Sequence, residues 1–180
     1  MNCVKLIFVS LVLCGIATFC RGEQKFTVTS ASFSNNSTIP AKYTLLDRDN
    51  SISPQLSWKN VPVNTKSFVI TCIDANPVAR NWVHWMIINI PATVSSLPEN
   101  ASPEKITGSA VELQNSFGAT GYGGPKPPAG TGIHNYVFTV YALKVSEIKT
   151  DESFLSEKQL LRLIGDKIIG QVSITGKCRR

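Results

Sequence analysis

Histidine is the scarcest reactive residue in this chain, and its two imidazoles, His84 and His134, both fall in stretches of unusual composition. His84 follows Trp82-Val83 at the head of an apolar run, ten residues after Asp74. His134 closes a glycine- and proline-rich loop and stands two residues before Tyr136. Imidazoles and a phenol hydroxyl can donate hydrogen bonds to a phosphate, exposed glycine amides add backbone donors, and a carboxylate can orient a histidine or, if protonated, donate a hydrogen bond itself. Together these residue types suit the holding of an anion. They suit catalysis less well. No Gly-x-Ser-x-Gly elbow is present, and Cys72 lies inside an apolar run, so a hydrolase using Asp74 and His84 lacks a nucleophile. Two histidines fifty residues apart give no zinc-ligand spacing, and nothing implies a cofactor.

For these groups to meet, they must be carried by strand ends. Ser67-Phe68-Val69-Ile70-Thr71-Cys72-Ile73 and Trp82 to Ile90 are near-continuous apolar runs of strand length. If they pair as neighbours through the Ala75–Asn81 connection, Asp74 and His84 lie at one rim of a sheet. The two-residue period puts His84 with Met86 on one face, and His134 with Tyr136 on another. The first twelve residues of the stretch from Gly121 to Tyr136 cannot be helix or central strand, because glycine frees the backbone and proline freezes it and removes a donor. It reads as a shaped loop feeding a strand at Tyr136–Tyr141, and it can lid the group.

The remaining pattern is mostly β. Phe26–Ser30 alternates and reads as an opening strand. Asp47–Asn50 is a polar loop. Ser53–Trp58 reads as an edge strand on account of Pro54. Ala92–Ser116 shows little periodicity. Ser156 and Gln159 form a capping box ahead of Leu160, Leu161, Leu163, Ile164 and Ile168 on a helical period, with Gly170 as the stop. Val172–Thr175 makes a last short strand. The expectation is a single domain, mainly β, with antiparallel sheets and a C-terminal helix.

Residues 1–22 stand apart: Lys5, an apolar run from Leu6 to Phe19, then Cys20-Arg21-Gly22 describe a secretory signal peptide, shorter than the ~20 apolar residues of a membrane span. The folded domain is then 23–180, and the protein is expected outside the cell. Removing Lys5 and Arg21 with the signal leaves 16 of the 18 basic residues against 12 acidic. That mild excess supports a pull toward phosphates or an anionic membrane, with peripheral contact. Without clustered basic and aromatic residues it does not describe a nucleic-acid surface. Cys72 and Cys178 remain as a pair that either bridges or stays as two thiols. Asn35, Asn36 and Asn100 each begin an Asn-x-Ser/Thr acceptor for N-glycosylation.

Three separated motifs resemble one family, the phosphatidylethanolamine-binding proteins, which include the Raf kinase inhibitor proteins, and most closely its bacterial-type subgroup. Ile52-Ser53-Pro54-Gln55-Leu56-Ser57-Trp58 resembles its "ISPxLSW" segment. Trp82-Val83-His84-Trp85 with Asn89-Ile90-Pro91 resembles "VHW…NIP". Gly123-Gly124-Pro125-Lys126-Pro127-Pro128 through His134-Asn135-Tyr136 resembles "GPxPP…HxY". The resemblance implies a Greek-key, sandwich-like fold of two antiparallel sheets with a C-terminal α-helix. It also implies a small non-catalytic pocket for phosphate or phospholipid head groups. By motif, Asp74, His84, His134 and Tyr136 match pocket positions, and Gly124 and Pro127 match the loop wall. The family's "DPDAP" segment is here Asp74-Ala75-Asn76-Pro77-Val78, which implies a less acidic pocket and a more mobile loop. Some members resemble protease or kinase inhibitors, so a secreted protease met by the proline-rich loop is the alternative partner.

Overall fold

The computed structural model describes residues 24–46, 51–103, 105–106 and 108–180. The signal-peptide reading of 1–22 and the polar loop Asp47–Asn50 lie outside the described residues. Among the described residues, eight strands form two antiparallel sheets. The larger has the order β6-β4-β3-β7-β8, from Val111–Glu112, Trp82–Pro91, Ser67–Asp74, His134–Leu143 and Ile168–Cys178. The smaller has the order β1-β2-β5, from Thr27–Thr29, Leu56–Lys59 and Ser96–Leu97. The α-helix α1 spans Glu157–Ile164.

The apolar runs of β3 and β4 are explained by what covers them. All eight residues of β3 are buried. Phe68, Ile70 and Cys72 face a core shared with Val28, Leu56 and Trp58 of the small sheet. Val69 and Ile73 face a second core with Leu155, Leu160 and Ile164 at the helix. A sheet covered on both sides has no solvent face to alternate with, so its central strand reads as continuously apolar.

Several sequence expectations are corrected. The Ser53–Trp58 segment is not an edge strand: β2 starts two residues after Pro54 and runs between β1 and β5, so the proline never enters the ladder. Ile168 belongs to β8 rather than the helix. The helix ends at Ile164 and a single 3-10 turn, Gly165–Lys167, turns the chain into the last strand before Gly170 is reached. That strand runs eleven residues along β7 instead of four. The aperiodic stretch 92–116 contributes β5 and β6, two residues each, too short to show a period.

The capping box at α1 is formed: the Gln159 amide donates to Ser156 Oγ, and Gln159 Oε1 accepts from the Ser156 amide. Ser156→Ala is therefore expected to cost about 1 kcal/mol, read as a lower urea midpoint at unchanged slope.

Cys72 and Cys178 are both free and both buried, so the bridging alternative does not hold. Cys72 pairs with Phe138, which pairs with Ile174. Cys178 lies four residues further along β8, opposite His134. Two strand spacings sideways and four residues along put the pair on the order of 15 Å apart, far beyond the ~7 Å Cα limit for a disulfide.

Candidate functional site

Four strand ends meet at one rim. β3 finishes at Asp74, whose register partners are Trp82 at the start of β4 and Tyr136 near the start of β7. His134 opens β7 opposite Cys178, the last residue of β8. Between them opens a cavity of about 620 Å³, lined by Asp74, His84, Pro127, His134 and Tyr136 among others. Five of the six residues singled out in the sequence thus share one space.

His84 reaches it by an irregularity. Ile73 pairs with Val83 and Cys72 with Trp85, so His84 is an extra residue on β4 with no partner on β3. A bulge of this kind re-aims a side chain that strict alternation would send elsewhere. The expectation that His84 and Met86 share a face is corrected accordingly. Met86 packs in the helix-side core, while the His84 ring meets Tyr136 at 5.0 Å and Phe117 at 5.4 Å between centroids, each edge to face. His84 is 3% exposed, and its Nδ1–H donates to the Gly123 carbonyl at 2.6 Å. Burial pulls the imidazole below its usual pKa, outweighing the upward pull of the Gly123 carbonyl and the Asp74 charge. The ring is neutral at pH 7, which leaves Nε2 with a lone pair.

Asp74 and His134 form a buried pair, with His134 Nδ1 donating to Asp74 Oδ2 at 2.7 Å. The other carboxylate oxygen accepts the Asn76 amide at 3.0 Å. Asn76 in turn accepts from Val78 N–H and donates its amide to the Ile133 carbonyl at 3.5 Å. That second bond needs a donor, which an aspartate at this position would lack. The departure from the family segment thus ties the β3–β4 connection to the loop before β7.

Tyr136 is fully buried, and its hydroxyl has no partner among the described residues. Burial first, and the Asp74 charge second, push the phenol far above its usual pKa, so it stays protonated and can only gain by donating. Gly124 lies behind the wall rather than in it. Its amide donates to Ser51 Oγ at 2.8 Å, and a Cβ there would come within 2.5 Å of the Tyr43 carbonyl. Glycine is required at 124 by close approach, and it holds Gly123 in place to accept from His84.

Among the lining residues that sequence reasoning missed are Trp82, Phe117, Arg80 and Lys126, and it also missed one strut, Thr131. Thr131 was findable, three residues before His134 between two glycines. Its Oγ1 is 2.8 Å from His134 Nε2, completing an Asp–His–hydroxyl chain of the sort hydrolases use. However, the same Oγ1 donates to the Pro128 carbonyl at 2.7 Å. The chain as built braces the loop instead of freeing a nucleophile.

With this geometry in hand, comparisons with known proteins agree with one another. A family model described as "Phosphatidylethanolamine-binding protein" matches residues 29–179. The UPF0098 protein YbcL of Escherichia coli is 37% identical over 157 residues, covering 83% of this chain and 85% of its own. Its crystal structure, described as a new member of the mammalian PEBP family, superposes with a TM-score of 0.78 at 33% identity, covering 87% of this chain and 99% of that one. A homologue from Chlamydia trachomatis, CT736, gives a TM-score of 0.72 at 32% identity, with 86% and 97% covered.

Proposed function

We propose, starting from the fact that this chain belongs to the phosphatidylethanolamine-binding protein family, that its rim cavity holds the phosphate of a phospholipid head group or a related anion, and that the protein acts by binding and not by turnover. The observation that carries this reading is the buried Tyr136 hydroxyl, an unsatisfied donor in the same cavity wall as His84 and His134. An acceptor oxygen in the cavity would satisfy it. Lys126 and Arg80 at the lining supply mobile positive charge, and Asp74 is already committed to His134 and Asn76.

His84 gives this reading a sign. Free, it is neutral with its Nδ1–H spent on Gly123. To donate to an anion it must take a proton on Nε2, and the anion's charge favours that form. Between the depressed pKa of the empty site and the raised one of the filled site, affinity is expected to rise as pH falls. The limit is roughly tenfold per pH unit, with one proton taken up. Glycerophosphoethanolamine is the probe, since its phosphodiester keeps one charge throughout the range. Calorimetry in buffers of different ionisation heat counts the proton. Binding that is flat in pH with no proton uptake would remove His84 from the site.

The reading extends to location. Residues 1–22 act as a cleaved signal, and the protein is exported; the acceptor triplets at Asn35, Asn36 and Asn100, all exposed, take glycans. N-terminal sequencing and glycosidase treatment of the protein from culture medium test both.

A further inference from the structure

The rim that holds the cavity is also the least soluble-looking part of the surface. Among the described residues, seven large apolar side chains are exposed, and four of them, Val78, Trp82, Phe117 and Ile133, stand at this rim. Val78, Trp82 and Phe117 line the cavity mouth. Ile133 precedes His134 and accepts from Asn76 across the neighbouring connection. Trp82 and Phe117 pack edge to face at 5.4 Å and are 39% and 47% exposed, so half of an aromatic pair faces water. Scattered apolar residues need no explanation, but a group around a pocket mouth does.

Away from the helix side, the charge of the same rim has one sign. Three of the segments that build it, 75–81, 125–133 and 176–180, contain Arg80, Lys126, Lys177, Arg179 and Arg180 and no acidic residue. The rim's acid is Asp74, buried against His134. On the helix side, the segment that brings Phe154 and Ser156 to the cavity carries Asp151, Glu152 and Glu157, and Glu157 shares a groove with Lys158 and Arg162. Apolar and aromatic side chains flanked by cations from three segments match the interface of an anionic bilayer, where tryptophan sits at head-group depth and lysine and arginine meet lipid phosphates. A protein partner would ask for a shaped, largely neutral centre; this centre is an open cavity.

We infer that this face docks on anionic lipid bilayers, with Val78, Trp82, Phe117 and Ile133 entering the head-group region and the five cations on its surface. The inference deepens the head-group reading and rests on it only for what the cavity does once docked.

The chain carries its own reporter, since Trp58 and Trp85 are buried and Trp82 is the half-exposed third of its three tryptophans. The experiment mixes the full protein with phosphatidylcholine vesicles, with and without about one-third phosphatidylserine, some carrying brominated acyl chains. Quenching of tryptophan emission by the brominated chains is expected with the anionic vesicles and not with phosphatidylcholine alone. Val78→Asp with Ile133→Asp is expected to abolish it. Lys126→Glu with Lys177→Glu is expected to lower vesicle affinity by about tenfold or more. Ile133→Asp alone should leave glycerophosphoethanolamine binding intact, and His84→Ala should leave quenching intact. No quenching by anionic vesicles, or quenching unchanged in the double aspartate variant, overturns the inference. So does quenching lost in His84→Ala, which would mean a single lipid held in the cavity. Loss of soluble ligand binding with docking retained would sink the head-group reading alone.

Discussion

Asp74→Ala is expected to lose about 3–5 kcal/mol of stability, the cost of leaving one member of a buried pair without the other. His134 is 1% exposed in its side chain and gives its Nδ1–H to Asp74. Without the carboxylate that donor is stranded in a dry corner, and the Asn76 amide loses its acceptor as well. Set against a total of about 5–15 kcal/mol for a domain, this is a large share. The urea midpoint should fall with the slope unchanged. Asp74→Asn separates shape from charge. Its amide oxygen can still accept from one partner, so it is expected to cost only about 1–2 kcal/mol if the pair is chiefly a hydrogen bond. A full loss in Asp74→Asn would show that the carboxylate's charge, and not its shape, holds the pair together. An Asp74→Ala variant as stable as the parent would mean that the rim is wet and open in solution.

His84→Ala is expected to weaken binding of glycerophosphoethanolamine about ten- to a hundredfold, the worth of one charge-assisted hydrogen bond. The pH dependence should vanish with it, because the group that takes up the proton is gone. The companion variant is Tyr136→Phe. Its hydroxyl has no partner in the empty site, so removing it should leave stability unchanged or raise it slightly, while binding falls about tenfold. Binding lost and stability kept is the mark of a group held ready for a ligand. A Tyr136→Phe variant that loses stability and keeps its affinity would place the hydroxyl in the scaffold instead. His84→Ala also removes a ring packed on Phe117 and Tyr136, so its urea midpoint must be measured alongside.

Much of this architecture was legible because burial writes itself into composition. β3 and β4 showed their covered faces as unbroken apolar runs, and the cap of α1 showed as Ser156 and Gln159. The loop before β7 could be nothing else, given its glycines and prolines. What was not legible depended on single residues whose effect is geometric. The extra residue at His84 changes no composition, yet it moves a side chain from one face of β4 to the other. Ile168 keeps helical spacing, but one tight turn after Ile164 spends it on a strand. Two-residue strands such as β5 and β6 have no period to read, and their pairing is imposed by neighbours. Trp82 heads an apolar run that reads as a buried strand, and only the fold shows it half exposed and paired with Phe117.

The separation of Cys72 from Cys178 has a consequence for handling the protein in air. In the native fold each thiol is sealed, and burial raises both above their usual pKa, which keeps them unreactive. Once the chain opens, that protection ends and the two sulfurs can find each other. The cross-link they would form cannot coexist with β7 lying between β3 and β8. Oxidation during refolding would therefore fix the chain in a shape from which the native sheet is out of reach.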